Sequence, residues 1–414
     1  MAKIGILTFH RSYNYGAFMQ CYGLSHRLKK DFPEHIVEVI DYATERVYRN
    51  YPTKLIPLIF GEKEARKSLK GILISLYFLL KNPKQLRQNG VLYECFCNEL
   101  AFLPLSDRTV ISDDYRGFFD KIKDQYDIII VGSDGVWEYK TYPFPNAYFL
   151  NGNFENTHLM SFAASSDRMH PKDITDSSRS YIKEAFEKFD YIGIRDVATE
   201  KFVKSVSPKL ILNHNCDPSM LLELDSLPKN LDRVKKDLKD HHIDISKPVI
   251  CVMGNNKLCK RVREMFGKKY QIVSIYYYSK YADYYINNLS PIEWAQIFSL
   301  FSVTVTSFFH GSLLSLKNGC PTVATDYWYQ IDEEHITKIH DLYKRLDLMK
   351  HYFFMSDVKT DKDFEEIKDR IEFFIQNPDK EAISKALNKE SESYNSFKDA
   401  LSEILLKISG PKEK

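Results

Sequence analysis

A chain of 414 residues is too long for one ordinary hydrophobic core and predicts two domains. Its 44% hydrophobic and 28% charged residues exclude a disordered chain, and a net charge of only +2 excludes bulk electrostatic attraction to nucleic acid. The 27 Tyr and 27 Phe residues permit a carbohydrate enzyme without arguing for one, because most such rings serve packing.

In chain order, Lys3–Phe9 reads as a buried strand and Gly16–Lys30 as a helix with Ala17, Cys21, Leu24 and Leu28 on one stripe. Val37–Tyr42 is a second strand. Between about 49 and 120 the alternation stops, and a Lys/Arg-rich helical pattern (Lys63–Arg87, then Val91–Leu100) predicts an insertion. Its basic face suits a solvated structural element, a grip on a substrate, or peripheral contact with an anionic membrane surface. Asp127–Gly132 holds the clearest strand, a continuous apolar run of the kind a parallel sheet covers on both faces. Leu159–Ser165, Tyr191–Arg195 and Lys209–Asn213 follow, with a helix over Arg179–Phe189. This is the rhythm of a doubly wound α/β sheet.

The polar stretch Leu224–Lys247 reads as a joint, so the expected domains are 1–235, carrying the insertion, and 236–414. The second series predicts strands at Val249–Met253, Gln271–Tyr277, Val303–Ser307 and Pro321–Thr325. Helices are predicted at Cys259–Lys269, Pro291–Phe301 and Ser312–Asn318, with Phe364–Gln376 and Lys389–Lys407 closing the chain. Seven cysteines without paired metal spacing, an opening that runs straight into a strand, and apolar runs far short of ~20 residues predict a cytoplasmic, metal-free protein.

Four loops carry candidate chemistry. Ligands of parallel sheets collect beyond the carboxyl ends of strands. The loop after the first strand lies there, with Asn14 and Gly16 able to turn the backbone toward a ligand; the alternative is a plain strand-to-helix turn. Gly132-Ser133-Asp134-Gly135-Val136-Trp137 displays a carboxylate and an indole, which suit a sugar, and Asp134 is a candidate general base; the alternative is a helix cap. Arg195-Asp196 ends another strand and offers either a bidentate anion clamp or a structural ion pair. Ser307-Phe308-Phe309-His310-Gly311-Ser312 runs from a strand into a helix, whose amides attract anions, with His310 at its mouth able to move a proton near neutral pH.

These segments, in this order, resemble the polysaccharide pyruvyl transferase family. The likeness takes in Lys3-Ile4-Gly5-Ile6-Leu7-Thr8, Asn14-Tyr15-Gly16-Ala17, Gly132-Ser133-Asp134 with Val136-Trp137, and Ser161-Phe162-Ala163-Ala164-Ser165. It continues through Arg195-Asp196, Cys216-Asp217-Pro218-Ser219-Met220-Leu221, Phe309-His310-Gly311, and late Glu390-Ser391 with Tyr394.

The resemblance implies two Rossmann-like domains in a GT-B-like arrangement and phosphoenolpyruvate as donor substrate, with no further cofactor and no metal. It also implies a cyclic pyruvate ketal as product, formed on a sugar, oligosaccharide or lipid-linked glycan of a polysaccharide or exopolysaccharide precursor. A site of action in the cytoplasm or at the inner membrane face would fit. By position Arg195 matches the donor-binding arginine and His310 the essential histidine. His310 is expected to donate a proton, Arg195 to clamp the anion, Asp134 to serve as base or acceptor ligand. Asn14, Gly16, Trp137, Ser307, Gly311 and Ser312 are expected to line the substrates.

Members commonly carry Gln at the position of Gly135, Asn at that of Glu138, and some carry Arg at that of Phe308. Without that last guanidinium, Arg195 and the amides around Gly311 and Ser312 must hold the anion. Two other readings share the fold: a nucleotide-sugar glycosyltransferase and a non-catalytic glycan-binding protein. The first needs an acidic ribose partner, for which Glu293 and Asp332-Glu333-Glu334 are poor candidates.

Overall fold

The computed structural model describes residues 1–45, 47, 83–139, 144–167, 169–326, 336–355 and 361–409. Two six-stranded parallel sheets form its frame. The first has the order β2-β1-β5-β6-β7-β8, built from β1 (Lys3–Leu7), β2 (Ile36–Val39), β5 (Ile128–Val131), β6 (His158–Ala164), β7 (Tyr191–Ile194) and β8 (Asn213–His214). A two-stranded pair, β3 (Tyr42–Ala43) with β4 (Val110–Ile111), stands beside it. The second sheet has the order β11-β10-β9-β12-β13-β14: β9 (Val249–Met253), β10 (Gln271–Ile275), β11 (Tyr284–Ile286), β12 (Val303–Thr306), β13 (Thr322–Asp326) and β14 (Tyr352–Phe354). The expected pair of Rossmann-like halves is therefore present.

Apolar runs explain the strands. Ile129 and Val131 pack in a layer on one face of the first sheet, with Leu7 and Leu159; Ile128 and Ile130 pack on the other, with Ile4, Ile6 and Phe162. That second layer continues through Tyr15 and Trp294 to Val249, Cys251 and Met253, so one core runs between the sheets. In the second sheet Ile250, Val252, Val303 and Val305 point to its opposite face.

The insertion carries a helix over Pro83–Glu99 and another over Tyr115–Ile122; its predicted helical pattern from Lys63 to residue 82 lies outside the described residues, as do Asp332-Glu333-Glu334. Lys209–Asn213 does not form a strand as expected: pairing begins at Asn213 and lasts two residues. The expected helix Lys389–Lys407 is broken at Ser393, whose hydroxyl accepts from the Cys216 amide (2.8 Å) and whose carbonyl accepts from Asn215 Nδ2 (3.2 Å). The final helix, Tyr394–Ser409, crosses back to the first half and lays Phe397 against Phe162 (4.7 Å between ring centres) and Tyr191 (5.5 Å). Among the described residues, no helix is long and apolar enough to cross a membrane.

Candidate active site

Strand order reverses beside β1 and β5 in the first sheet and between β9 and β12 in the second, and at such switch points the loops diverge to leave a crevice. The two crevices face each other. From the first half, β1 leads through Asn14 into the helix Tyr15–Asp31, β5 leads to Asp134, and β7 to Arg195. From the second, β12 leads through Ser307 and Phe308 into the helix Phe309–Lys317, which carries His310 in its first turn.

A buried carboxylate not among the expected site residues joins the halves. Asp217, 1% exposed, accepts from Gln20 Nε2 (2.6 Å) and Arg195 Nη1 (3.3 Å), and lies 3.7 Å from His310 Nε2. Its backbone holds it through the Ser219 amide, which donates to Oδ1 at 2.9 Å. Arg195 Nη1 is also 3.7 Å from Asp134 Oδ1, and Arg195 Nε is 3.5 Å from Asp196 Oδ2. The guanidinium carbon sits 4.9 Å over the Phe309 ring. Among the described residues, two of its nitrogens, Nε and Nη2, find no hydrogen-bond partner, and neither does His310 Nε2.

Burial acts on every charge here, and the partners decide the outcome. Burial pushes the Asp217 carboxyl upward, but His310 and Arg195, with the Ser219 and Gln20 hydrogen bonds, hold it below the usual range. Asp134 behaves alike: burial raises it, while Lys338, Arg195 and His310 bring it down. Burial lowers the His310 imidazole; Asp217 and Asp134 oppose this without overcoming it, so His310 is mostly neutral at pH 7. Burial opposes the charge on Arg195, and Asp134, Asp217, Asp196 and Asp167 more than restore it.

Two glycines make the convergence possible. A Cβ on Gly16 would fall inside the His310 imidazole, so the ring uses the space that a side chain would take. A Cβ on Gly311 would lie 2.7 Å from both Met253 Sδ and Thr306 Oγ1, so glycine lets the helix seat against the ends of β9 and β12.

The structure therefore brings Asp134, Arg195, His310, Gly16 and Gly311 together, with Ser307 in the same turn, its amide donating to the Met253 carbonyl at 3.3 Å. It corrects four expectations. Trp137 is not displayed: it is fully buried, packs on Phe186, and donates from Nε1 to the Tyr148 carbonyl at 3.3 Å. Ser312 offers no amide to a ligand, because the helix starts earlier and its N–H already donates to the Phe308 carbonyl at 2.9 Å. Asn14 has an extended backbone (φ −148°), and its Oδ1 caps the following helix at the Gly16 and Ala17 amides. Arg195 is only 1% exposed, so its charge is met by carboxylates and not held open to solvent.

At the divergent position, the Phe308 ring stacks on Tyr277 (5.2 Å, 12° between planes) and, as N-cap, supplies no side-chain acceptor to the helix behind it. Among the described residues no group of three or more His, Cys, Asp or Glu is placed to hold a metal ion.

A profile of the family described as polysaccharide pyruvyl transferase matches residues 14–329. No curated protein matches the chain. Among solved structures, a UDP-N-acetylglucosamine 2-epimerase superposes with a TM-score of 0.54 at 12% identity, over 100% of this chain and 98% of that one. A second protein, from Listeria monocytogenes and provisionally given the same activity, superposes at 0.52 with 11% identity, over 100% and 98% of the two chains. At such identities the likeness is one of fold, a GT-B-like pairing of two Rossmann-like halves.

Proposed function

The chain belongs to the polysaccharide pyruvyl transferase family, and from that premise we propose that it transfers the enolpyruvyl group of phosphoenolpyruvate to two hydroxyls of a sugar, forming a pyruvate ketal. The observation that carries the reading is the meeting of Arg195 and His310, 115 positions apart, on the one buried carboxylate of Asp217, with Asp134 on the same guanidinium.

The reaction needs a proton on the donor's methylene carbon, attack by one sugar hydroxyl on the adjacent carbon, and closure by a second hydroxyl as phosphate leaves. The two hydroxyl protons balance the account, one replacing the proton given to carbon and one leaving with phosphate. His310 is the proton donor. It is mostly neutral in the free site, but an arriving anion adds negative charge to that of Asp217 and Asp134 and raises its proton affinity, which couples donor binding to proton uptake. Asp134, held ionised, accepts from the attacking hydroxyl. Arg195 fixes both carboxylates and keeps them charged. The uncapped first turn of the helix Phe309–Lys317 offers its amides to the donor's anionic groups. The Phe308 ring, two residues from His310 and backed by Tyr277, suits the apolar face of the acceptor ring.

Incubation with phosphoenolpyruvate and candidate glycans tests this, by release of inorganic phosphate and by the mass gain of a pyruvate ketal. Thermal stabilisation by a nucleotide sugar and none by phosphoenolpyruvate would turn the assignment to glycosyl transfer.

A further inference from the structure

The chain beyond β10 and in β11 carries polar groups that the chemistry at His310 does not use. β10 ends at Ile275, and Tyr276 follows with φ +68°, a left-handed conformation that a bulky residue holds only where its surroundings over-determine it. The Tyr277 amide closes the turn by donating to the Ile275 carbonyl at 2.8 Å. The turn sets the Tyr276 ring between the halves, its centre 5.6 Å from that of Tyr15 in the first and 5.2 Å from that of Tyr277, which backs Phe308. Tyr13, from the loop after β1, extends this wall edge-on to Tyr15 (6.0 Å). The phenol oxygens of Tyr276, Tyr277 and Tyr285 are all close enough to bear on that of Tyr13, so hydroxyls from both halves face one space.

Two polar groups at this space are unmet. Tyr285, in β11, is 8% exposed, and among the described residues its hydroxyl has no hydrogen-bond partner. Nor has the buried Oδ1 of Asn288, two residues past β11, whose carbonyl accepts from Cys95 Sγ at 3.6 Å; Cys95 also bears on Tyr13. A phenol buried without a partner costs stability that phenylalanine would not, so packing alone does not account for Tyr285. A hydroxyl that donates and an amide oxygen that accepts, set among aromatic rings, match the polar rim and apolar face of a sugar. Their place says which sugar. Phe308 follows β12, and Tyr285 lies three strands away in the order β11-β10-β9-β12. At the usual spacing of neighbouring strands that is roughly 14 Å, further than one sugar ring spans.

We propose that Tyr285 and Asn288, with the tyrosine wall beside them, form a second acceptor subsite that holds the sugar next to the one receiving the ketal. The acceptor is then an oligosaccharide and not a free monosaccharide. This rests on the ketal-forming reaction assigned above and names the class of its acceptor. The Tyr285 hydroxyl and the Asn288 carbonyl oxygen stay unmet in the free protein and gain their partners from the glycan.

The test compares wild type, Tyr285→Phe and Asn288→Ala in ketal formation from phosphoenolpyruvate, with a competent glycan and the methyl glycoside of its pyruvylated sugar as the two acceptors. Wild type is expected to favour the glycan by roughly tenfold or more in kcat/KM. Tyr285→Phe should lower that preference roughly three- to tenfold, the worth of one hydrogen bond, through a raised glycan KM, with Tm equal or higher because an unmet hydroxyl has left the free protein. Asn288→Ala should lower the same preference. A wild type that treats both acceptors alike, a preference unchanged in Tyr285→Phe, or a loss matched by a fall in its Tm overturns the proposal. Should wild type form no ketal on any glycan, the function assigned above fails first. Immobilised hexose and N-acetylhexosamine mono- and oligosaccharides then serve as binding probes. Retention of wild type on an oligosaccharide, weakened in Tyr285→Phe, upholds the sugar subsite; equal retention of both proteins, or none, removes it.

Discussion

The two halves share a strand plan but treat their loops differently. In the first, the chemistry is locked: Asp217, Asp196 and Arg195 are buried and cross-linked by hydrogen bonds and ion pairs. In the second, the chemistry stands at the rim. His310 keeps 12% of its side-chain surface and Lys338 keeps 40%. A rigid bed of charge opposite groups that can meet a ligand is the arrangement electrostatic catalysis asks for, because the bed needs no reorganisation when the reaction begins. Removal of the buried Arg195 should then act mainly through folding, and removal of His310 mainly through turnover.

The largest test of that division is His310→Ala, expected to lower kcat for ketal formation by roughly 10²–10⁴-fold with Tm nearly unchanged. Near-normal product in a glycan mass assay would remove His310 from the mechanism. Arg195→Ala should break the comparison the other way. It strips the countercharge from buried Asp217 and Asp134 and should cost about 3–5 kcal/mol of stability, read as a lowered midpoint of urea unfolding. A stable variant with only a raised donor KM would mean that Arg195 faces the substrate after all.

Gly16→Ala lies between the two, since a first-half methyl would push a second-half imidazole. A displacement of about 1 Å at a reacting group can cost ~10²-fold in rate, and kcat should fall by that order while the donor KM holds. The subtlest is Asp217→Asn. The protonated form of His310 exists only below its depressed pKa, so kcat/KM for the donor should decline as pH rises through a midpoint below 6.5. Asp217 is the largest influence raising that pKa, and its neutral replacement should move the midpoint to lower pH. A midpoint that stays in place would show that the two side chains do not couple.

Much of this was legible beforehand. Buried parallel strands announce themselves as unbroken apolar runs, and Ile128–Val131 and Val249–Met253 form close to where those runs lie. Short edge strands such as β11 and β14, three residues each, give no period to detect. Of the site, His310, Arg195 and Asp134 could be found because each follows within a few residues of a buried strand's carboxyl end. Asp217 carries no such signal, since it caps a 3₁₀ turn after a two-residue strand and its importance comes from partners 22 and 93 positions away. Trp137 misled for the opposite reason: its loop position suggested display, while the neighbouring Phe186 and Tyr148 make it core.

The return of the last helix to the first sheet has a consequence for how the chain is made. Phe162 and Tyr191 are completed by Phe397, and Asn215 and Cys216 by Ser393. On the ribosome, that side of the first half stays uncovered while the whole second half is being synthesised. The portion translated first is thus finished last, and the nascent chain carries an exposed aromatic face through about half of its elongation.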